Sequence, residues 1–92
     1  ALGNARPNPF NARTSITYLV PEGLASGAAL SLDIYDLRGR HIQELELDSS
    51  PGTHEVVWNG SDDTGRTVPA GVYLAKYTCG QHQSAIKLAL VA

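Results

Sequence analysis

The chain has 92 residues, of which 42% are hydrophobic, and its formal net charge at pH 7 is −2. A chain of this length supports one domain with a single modest core, and seven basic against nine acidic residues give no cationic surface of the kind that binds nucleic acid or anionic membranes. The single cysteine, Cys79, excludes an intramolecular disulfide and a thiolate metal site, and no apolar run reaches the roughly 20 residues of a membrane-spanning helix.

The first residues predict an extended lead-in to the domain. Residues 1–9 contain Pro7 and Pro9, which favour extended backbone and interrupt regular pairing. Because the sequence starts without methionine, we interpret this segment as the connection from an upstream domain of a longer protein. The sandwich domain is then predicted over residues 10–92.

Short runs in which apolar and polar residues alternate follow one another along the rest of the chain, and each predicts a strand with one buried face. The runs cover residues 14–20, 29–36, 41–47, 53–59, 72–79 and 84–91. Between the second and third runs, Gly39 is expected in the left-handed conformation of a tight hairpin turn. Six or seven short strands, with turn signals at intervals of roughly 8–12 residues, predict an all-β fold: an antiparallel immunoglobulin- or fibronectin-like β-sandwich of about seven strands.

The densest turn signal lies between Trp58 and Tyr73. Gly65 and Gly71 supply backbone freedom in this segment, while the two aromatic residues at its ends are expected to anchor it in the core. We therefore interpret Trp58, Gly65, Gly71 and Tyr73, together with Gly39, as the structural motif of the fold.

The same turn contains oxygen ligands that a calcium ion would accept: the amide of Asn59 and the carboxylates of Asp62 and Asp63. Their spacing does not follow the helix–loop–helix calcium pattern, because Ala70 stands where the bidentate glutamate belongs. The favoured interpretation is that both carboxylates accept hydrogen bonds from backbone N–H groups of the turn. Calcium is the weaker alternative, and no cofactor or other metal is expected.

No catalytic residues are predicted. His41, His54 and His82 are scattered over different strands or turns, and the sequence contains no nucleophile elbow, phosphate loop or paired metal-ligand motif. Cys79 lies within an apolar alternation, which favours packing over reactivity. The residue pattern therefore predicts a module that is not an enzyme.

Four motifs in fixed order carry a family resemblance. They are Asn-Pro-Phe-Asn at residues 8–11, Ile-Thr-Tyr-Leu-Val-Pro at 16–21, Leu-Asp-Ile-Tyr-Asp-Leu-Arg-Gly-Arg at 32–40, and the turn ending in Gly-Val-Tyr at 71–73. Their order and spacing resemble the C-terminal sorting domains of the type IX secretion system and the immunoglobulin-like domain of flagellar hook-capping proteins. The resemblance extends from about Asn8 to Leu90.

The resemblance implies that the domain functions as a sorting signal for a larger protein. In the sorting-domain family, an outer-membrane translocon recognises the domain, a sortase-like peptidase commonly removes it, and the covalently attached upstream cargo performs the chemistry. The expected location is secreted or on the outer-membrane surface of a Gram-negative bacterium, reached through the periplasm. The family's lysine beside a terminal apolar strand is matched by Lys87, so Lys87, Leu88 and Leu90 are the expected partner-binding residues. Ala92 departs from the basic terminal residue of many members.

Two structural roles remain as alternatives. The chain would serve as a spacer or self-association module within a multidomain secreted hydrolase, or as an assembly domain like that of the hook cap. Neither alternative requires a cofactor, nucleic acid or a membrane span.

Overall fold

The computed structural model describes residues 2–6, 13–24 and 27–91, apart from the side chains of residues 4 and 6. Seven strands lie within these residues: β1 (Leu2–Arg6), β2 (Thr14–Val20), β3 (Leu30–Asp36), β4 (His41–Leu45), β5 (Gly52–Trp58), β6 (Gly71–Cys79) and β7 (His82–Leu90). The six strands predicted from alternation correspond to β2–β7, with ends that shift by at most two residues. Within the described residues no helix could cross a membrane.

The strands form two antiparallel sheets that face each other. One sheet has the order β1-β2-β5, and the other has the order β4-β3-β6-β7. The central pairs are long and regular, with Thr14–Val20 of β2 aligned on Gly52–Trp58 of β5 and Gly71–Cys79 of β6 aligned on His82–Leu90 of β7. The predicted all-β antiparallel sandwich is confirmed.

The beginning of the chain differs from the predicted lead-in. Residues 2–6 are extended, but as strand β1, which pairs antiparallel with β2 and places Ala5 opposite Ile16. They join the sheet because their backbone finds partners on β2 and the Ala5 side chain is buried in the core. Residues 7–9, the motif at residues 8–11 and Ala92 lie outside the described residues, and the predicted boundary at residue 10 stays a prediction.

Aromatic and branched side chains fill the space between the sheets. The largest fully buried apolar side chains are those of Trp58, Tyr18, Tyr77, Ile16, Leu32, Ile34, Leu88 and Val20. Each lies on the inward side of a period-two alternation, as the sequence predicts. The edge-to-face contact of Trp58 with Tyr73, with ring centroids 5.3 Å apart, joins β5 to β6 across the sandwich.

The hydroxyl groups of the three core tyrosines reach the rim of the core, where backbone groups satisfy them. The Tyr77 hydroxyl donates to the Leu19 carbonyl at 2.8 Å, and the Tyr73 hydroxyl donates to the Pro69 carbonyl at 2.6 Å. The Tyr18 hydroxyl accepts a hydrogen bond from the Asp48 N–H at 2.7 Å. Each ring therefore contributes apolar area to the core while its hydroxyl holds a loop or strand end in place.

The β3–β4 hairpin closes through local turn chemistry. Gly39 adopts φ +86°, and its N–H donates to the Asp36 carbonyl at 3.1 Å. The Asp36 carboxylate accepts hydrogen bonds from the backbone N–H groups of Arg38 and Arg40, both at 2.9 Å. These bonds, the one from the Arg40 backbone foremost, hold the pKa of Asp36 below its ordinary value.

Candidate functional site

The acidic turn between β5 and β6 is organised by one carboxylate. Oδ1 of Asp62 accepts hydrogen bonds from the Thr64 hydroxyl at 2.7 Å, the Thr64 N–H at 2.9 Å and the Arg66 N–H at 3.0 Å. These bonds, led by the one from the Thr64 hydroxyl, lower the pKa of Asp62. The turn closes with Gly65 at φ +85°. Asp62 thus performs the turn role favoured by the sequence.

Asp63, the second acidic residue, attaches the turn to the outer edge of β4. Its backbone N–H donates to the Ile42 carbonyl at 2.9 Å, and its Oδ1 accepts a longer bond from the Glu44 N–H at 3.4 Å. Its Oδ2 lies 3.4 Å from Nδ1 of His41. Strand β4 is the outermost strand of its sheet, so this loop occupies backbone groups that an edge strand would otherwise present to another chain.

The three residues of the calcium alternative face different partners. The Asn59 side-chain oxygen accepts a hydrogen bond from the Ser61 hydroxyl, Asp62 binds its own turn, and Asp63 faces β4. Among the described residues, no three histidine, cysteine, aspartate or glutamate side chains are grouped so as to hold a metal ion. The oxygens therefore lack the convergence that calcium coordination requires, and calcium binding stays an untested alternative.

The two ends of the same turn are anchored in the core. The indole Nε1–H of Trp58 donates to the Ser61 carbonyl at 2.9 Å, and the Tyr73 hydroxyl bonds Pro69. Gly71 begins β6, two residues before the buried Tyr73. The turn between Trp58 and Tyr73 therefore connects the two sheets at the end of the sandwich where β5 ends and β6 begins.

His41 joins three parts of the outer surface. Its Nε2 lies 2.8 Å from Oδ1 of Asp33 on β3, its Nδ1 faces Asp63, and its ring contacts Tyr35 edge to face. The hydrogen bond to Asp33 is the main cause that raises the pKa of His41 above its ordinary value, and the nearby carboxylates of Asp63 and Glu44 add to it. The sequence gives no signal of this contact between His41, Asp33 and Asp63, because strand register alone brings the three residues together.

His54 lies beside a serine and an aspartate in an arrangement that superficially resembles a catalytic triad. Its Nε2 lies 3.4 Å from the Ser50 hydroxyl, and its Nδ1 lies 3.9 Å from Oδ2 of Asp48. However, Nε2 also lies 2.7 Å from the Ser50 carbonyl, which only accepts, so this nitrogen carries the proton and is unable to receive one from the serine. The Ser50 hydroxyl instead donates to Asp48 at 2.7 Å. The three side chains stabilise the entry to β5.

Cys79 and His82 lie at the other end of the sandwich. Cys79 is buried at the end of β6, as its alternation predicts, and His82 is exposed at the start of β7. Both border a cleft of about 370 Å³ between β1 and the β6–β7 turn, whose walls also include Leu2, Pro21 and Tyr77. No hydrogen bond or ion pair between Cys79 and a histidine is found among the described residues.

The predicted partner-binding residues on β7 point in two directions. Leu88 is fully buried and Leu90 is 8% exposed, so both side chains belong to the core, whereas Lys87 is exposed on the opposite side of the strand. Strand β7 is the outermost strand of its sheet. Of these three residues, only Lys87 is accessible from the surface, and Leu88 and Leu90 pack in the core.

The two antiparallel sheets and the turn that joins β5 to β6 define an immunoglobulin-like module. The chain belongs to the FlgD Ig-like domain family, whose model matches residues 12–81.

The fold is also similar to a solved structure of PorZ, described as an essential bacterial surface component of the type IX secretion system of Porphyromonas gingivalis. The TM-score is 0.64 and the sequences are 21% identical, with 97% of this chain and 11% of that chain covered. At this identity the similarity shows the fold alone. A search of curated proteins found no match.

Proposed function

We propose that this chain is a non-catalytic sorting and anchoring domain, which directs a larger exported protein through the type IX secretion system to the cell surface. The observation that carries the proposal is the similarity to PorZ, which covers 97% of this chain but 11% of PorZ. The whole chain thus corresponds in fold to one small part of a much larger secretion-system protein. The four motifs of the sorting-domain resemblance point the same way.

A β-sandwich of this kind acts as a sorting signal when other proteins recognise its surface. Its partners are the secretion translocon, a sortase-like peptidase and the cargo covalently joined upstream. Recognition is centred on β7, where Lys87 is exposed and the buried Leu88 and Leu90 keep the strand in register with β6. A folded domain with a rigid core loses little conformational entropy on binding, which favours specific recognition by a translocon.

The second candidate is an assembly or spacer role. Membership of the FlgD Ig-like family favours a structural contact within an extracellular assembly like that of the hook cap. A self-association or spacer role in a multidomain hydrolase belongs to the same class, because it also needs only a folded surface. An isolated chain that forms stable oligomers, without any effect on export, would favour this second candidate.

The export proposal is tested with a reporter protein that carries a signal peptide and is fused upstream of the 92-residue chain. In a host with a type IX system, we expect the reporter on the cell surface. In the same host without the translocon, or with a reporter that lacks the chain, we expect it in the periplasm. A wild-type fusion that stays in the periplasm of the competent host would overturn the proposal.

The role of Lys87 is tested with a point substitution, because removal of residues 84–92 would also remove the buried Leu88 and Leu90. We expect Lys87→Gln to reduce surface delivery while the domain remains folded. Arg13→Gln is the matched control: it removes the same charge from an exposed position next to β2, in the other sheet. Equal delivery by both variants would show that Lys87 does not take part in recognition.

A further inference from the structure

The outer surface of β6 and β7 combines apolar side chains with lysines. Three cross-strand pairs, Val72 with Ala89, Leu74 with Lys87 and Lys76 with Ala85, follow one another along the two strands. They alternate with the buried Tyr73, Ala75, Tyr77 and Leu88, so all six point away from the core. We call these six residues the β6–β7 face.

The β6–β7 face is apolar but accessible. Val72 is 40% exposed, and Val91, which follows β7, is 45% exposed. Leu74 and Ala89 are half-buried and Ala85 is exposed. Neighbouring apolar side chains that remain accessible on one side of a sheet are typical of a surface that contacts another protein.

The charge of this face is opposite to that of the whole chain. Strands β6 and β7 contain Lys76 and Lys87 but no aspartate or glutamate, although the chain carries a net charge of −2. Asp33 lies opposite Lys76 on β3, but its carboxylate binds His41, and no carboxylate of the described residues is within ion-pair distance of Lys76. The carboxylates of this sheet therefore lie on β3 and β4, namely those of Asp33, Asp36 and Glu44, whereas the charged side chains of β6 and β7 are the two lysines.

We infer that the β6–β7 face docks a protein partner that presents apolar side chains flanked by carboxylates. Charge complementarity selects this partner, because two lysines border the apolar rows and would attract carboxylates while repelling a basic surface. A shallow depression of about 240 Å³, lined by Lys76, Gln83, Ser84 and Ala85, offers room for one such carboxylate. The inference rests on the proposed function and deepens it, since it names the chemistry of the partner that recognises the domain.

Two other occupants fit this face less well. In a symmetric pair of this chain the same patch would meet itself, which brings lysines towards lysines and disfavours association. Anionic membrane surfaces are bound by clusters of about four to eight basic residues, whereas this face carries only Lys76 and Lys87. A carboxylate-bearing protein surface needs neither self-complementarity nor such a cluster.

The outer face of the other sheet provides an internal comparison. Its outward side chains include Ser15, Thr17 and Glu55, and the Ser15 hydroxyl donates to the Glu55 carboxylate at 3.1 Å. That face also carries accessible apolar side chains, since Leu19 is 42% exposed and Val57 is 51% exposed, but its charged group is the carboxylate of Glu55 instead of lysines. A partner with apolar and acidic groups should therefore distinguish the two faces of the same domain.

In a direct test, a synthetic peptide of alternating glutamate and valine is added to the 92-residue chain. The backbone amide chemical shifts of the chain are measured during the titration. We expect shifts confined to β6 and β7, and none with the same peptide carrying lysine in place of glutamate. The double variant Lys76→Glu/Lys87→Glu should weaken binding by about tenfold or more, since two attractive charge contacts become repulsive. Arg13→Glu, with a charge reversal on the other side of the domain, should leave binding unchanged.

Several results would overturn the inference. Equal shifts with both peptides would mean nonspecific apolar adsorption, and no shifts on β6 and β7 would mean that the face does not bind. Concentration-dependent shifts of the same amides without peptide would assign the face to a second copy. Binding of the chain to anionic lipid vesicles, lost in the double variant, would assign it to a membrane.

A test in the secretion host separates this inference from the proposed function. A photo-crosslinking residue at Val72 in the reporter fusion should capture one partner through a segment that contains aspartate or glutamate, whereas the same residue at Thr17 should not. If the wild-type reporter is not delivered, the sorting function fails, while the peptide titration still decides the chemistry of the face. If the folded Lys76→Glu/Lys87→Glu fusion is delivered normally, the inference fails and the sorting function stands.

Discussion

His41 links β3, β4 and the β5–β6 loop. Its two ring nitrogens face Asp33 and Asp63, and only the protonated imidazole donates to both carboxylates. The sequence places His41 at the start of a predicted strand and assigns it no catalytic role. Asp33 lies eight positions before His41 and Asp63 lies 22 positions after it, and nothing in local alternation indicates that the three meet.

The His41 link predicts a pH dependence of stability. Because its pKa in the folded chain is raised above 6.5, its contribution is fully present below that pH and is lost as the pH rises through the raised value. We expect the free energy of unfolding in urea to fall as the pH rises above 6.5, and His41→Gln to reduce that fall. His82→Gln is the control, since His82 is exposed and lies at the opposite end of the sandwich. The same pH dependence in both variants would contradict this role of His41.

At the scale of elements, the β3–β4 hairpin is specified by its own residues. The predicted left-handed conformation at Gly39 is observed as φ +86°, and the Asp36 carboxylate closes the turn on the following backbone N–H groups. The signal is local because the turn type depends on a few adjacent dihedral angles. Turn chemistry could therefore be predicted without any knowledge of the rest of the fold.

Gly39→Ala tests whether the turn depends on this conformation. A Cβ at Gly39 would meet no atom within 4 Å, so the cost comes from the backbone alone. We expect a loss of about 1–2 kcal/mol in the free energy of unfolding, and a smaller loss for Gly39→Asn, because asparagine tolerates left-handed backbone better. Equal losses for alanine and asparagine, measured by urea denaturation, would contradict the explanation.

The β5–β6 loop is an element that the sequence explains only in part. The carboxylate of Asp62 and the glycine at position 65 predict a tight turn, and the turn is present. The attachment of Asp63 to the edge of β4 is a long-range contact, which depends on where β4 lies relative to β5 and β6. No local sequence pattern predicts this contact between Asp63 and β4.

For the whole molecule, stability depends on closure of the two sheets over one core. Strand β7 contributes Leu88, which is fully buried, while the neighbouring Lys87 faces outward. Adjacent residues of a strand point to opposite faces, so these two positions separate packing from surface recognition. An export defect in a Leu88 variant would therefore indicate loss of folding, whereas a defect in a folded Lys87 variant would indicate loss of recognition.

The corresponding prediction compares Leu88→Ala with Lys87→Ala. We expect Leu88→Ala to lower the free energy of unfolding by about 2–5 kcal/mol, because it leaves a cavity in the core. Lys87→Ala should change it by less than about 0.5 kcal/mol, as is usual for surface substitutions. Urea denaturation of both variants gives the comparison, and a Lys87 variant as destabilised as the Leu88 variant would show that β7 is packed differently.

Alternation of apolar and polar residues determined strands β2–β7 and the sandwich class, because period two and turn residues act over short distances. Only the tertiary structure decided that residues 2–6 pair with β2 and that His41 meets Asp33 and Asp63. It also placed Lys76 beside Lys87 on one face and Leu88 inside. Sheet order and register cause these outcomes, and both are set by packing between strands that are distant in the sequence.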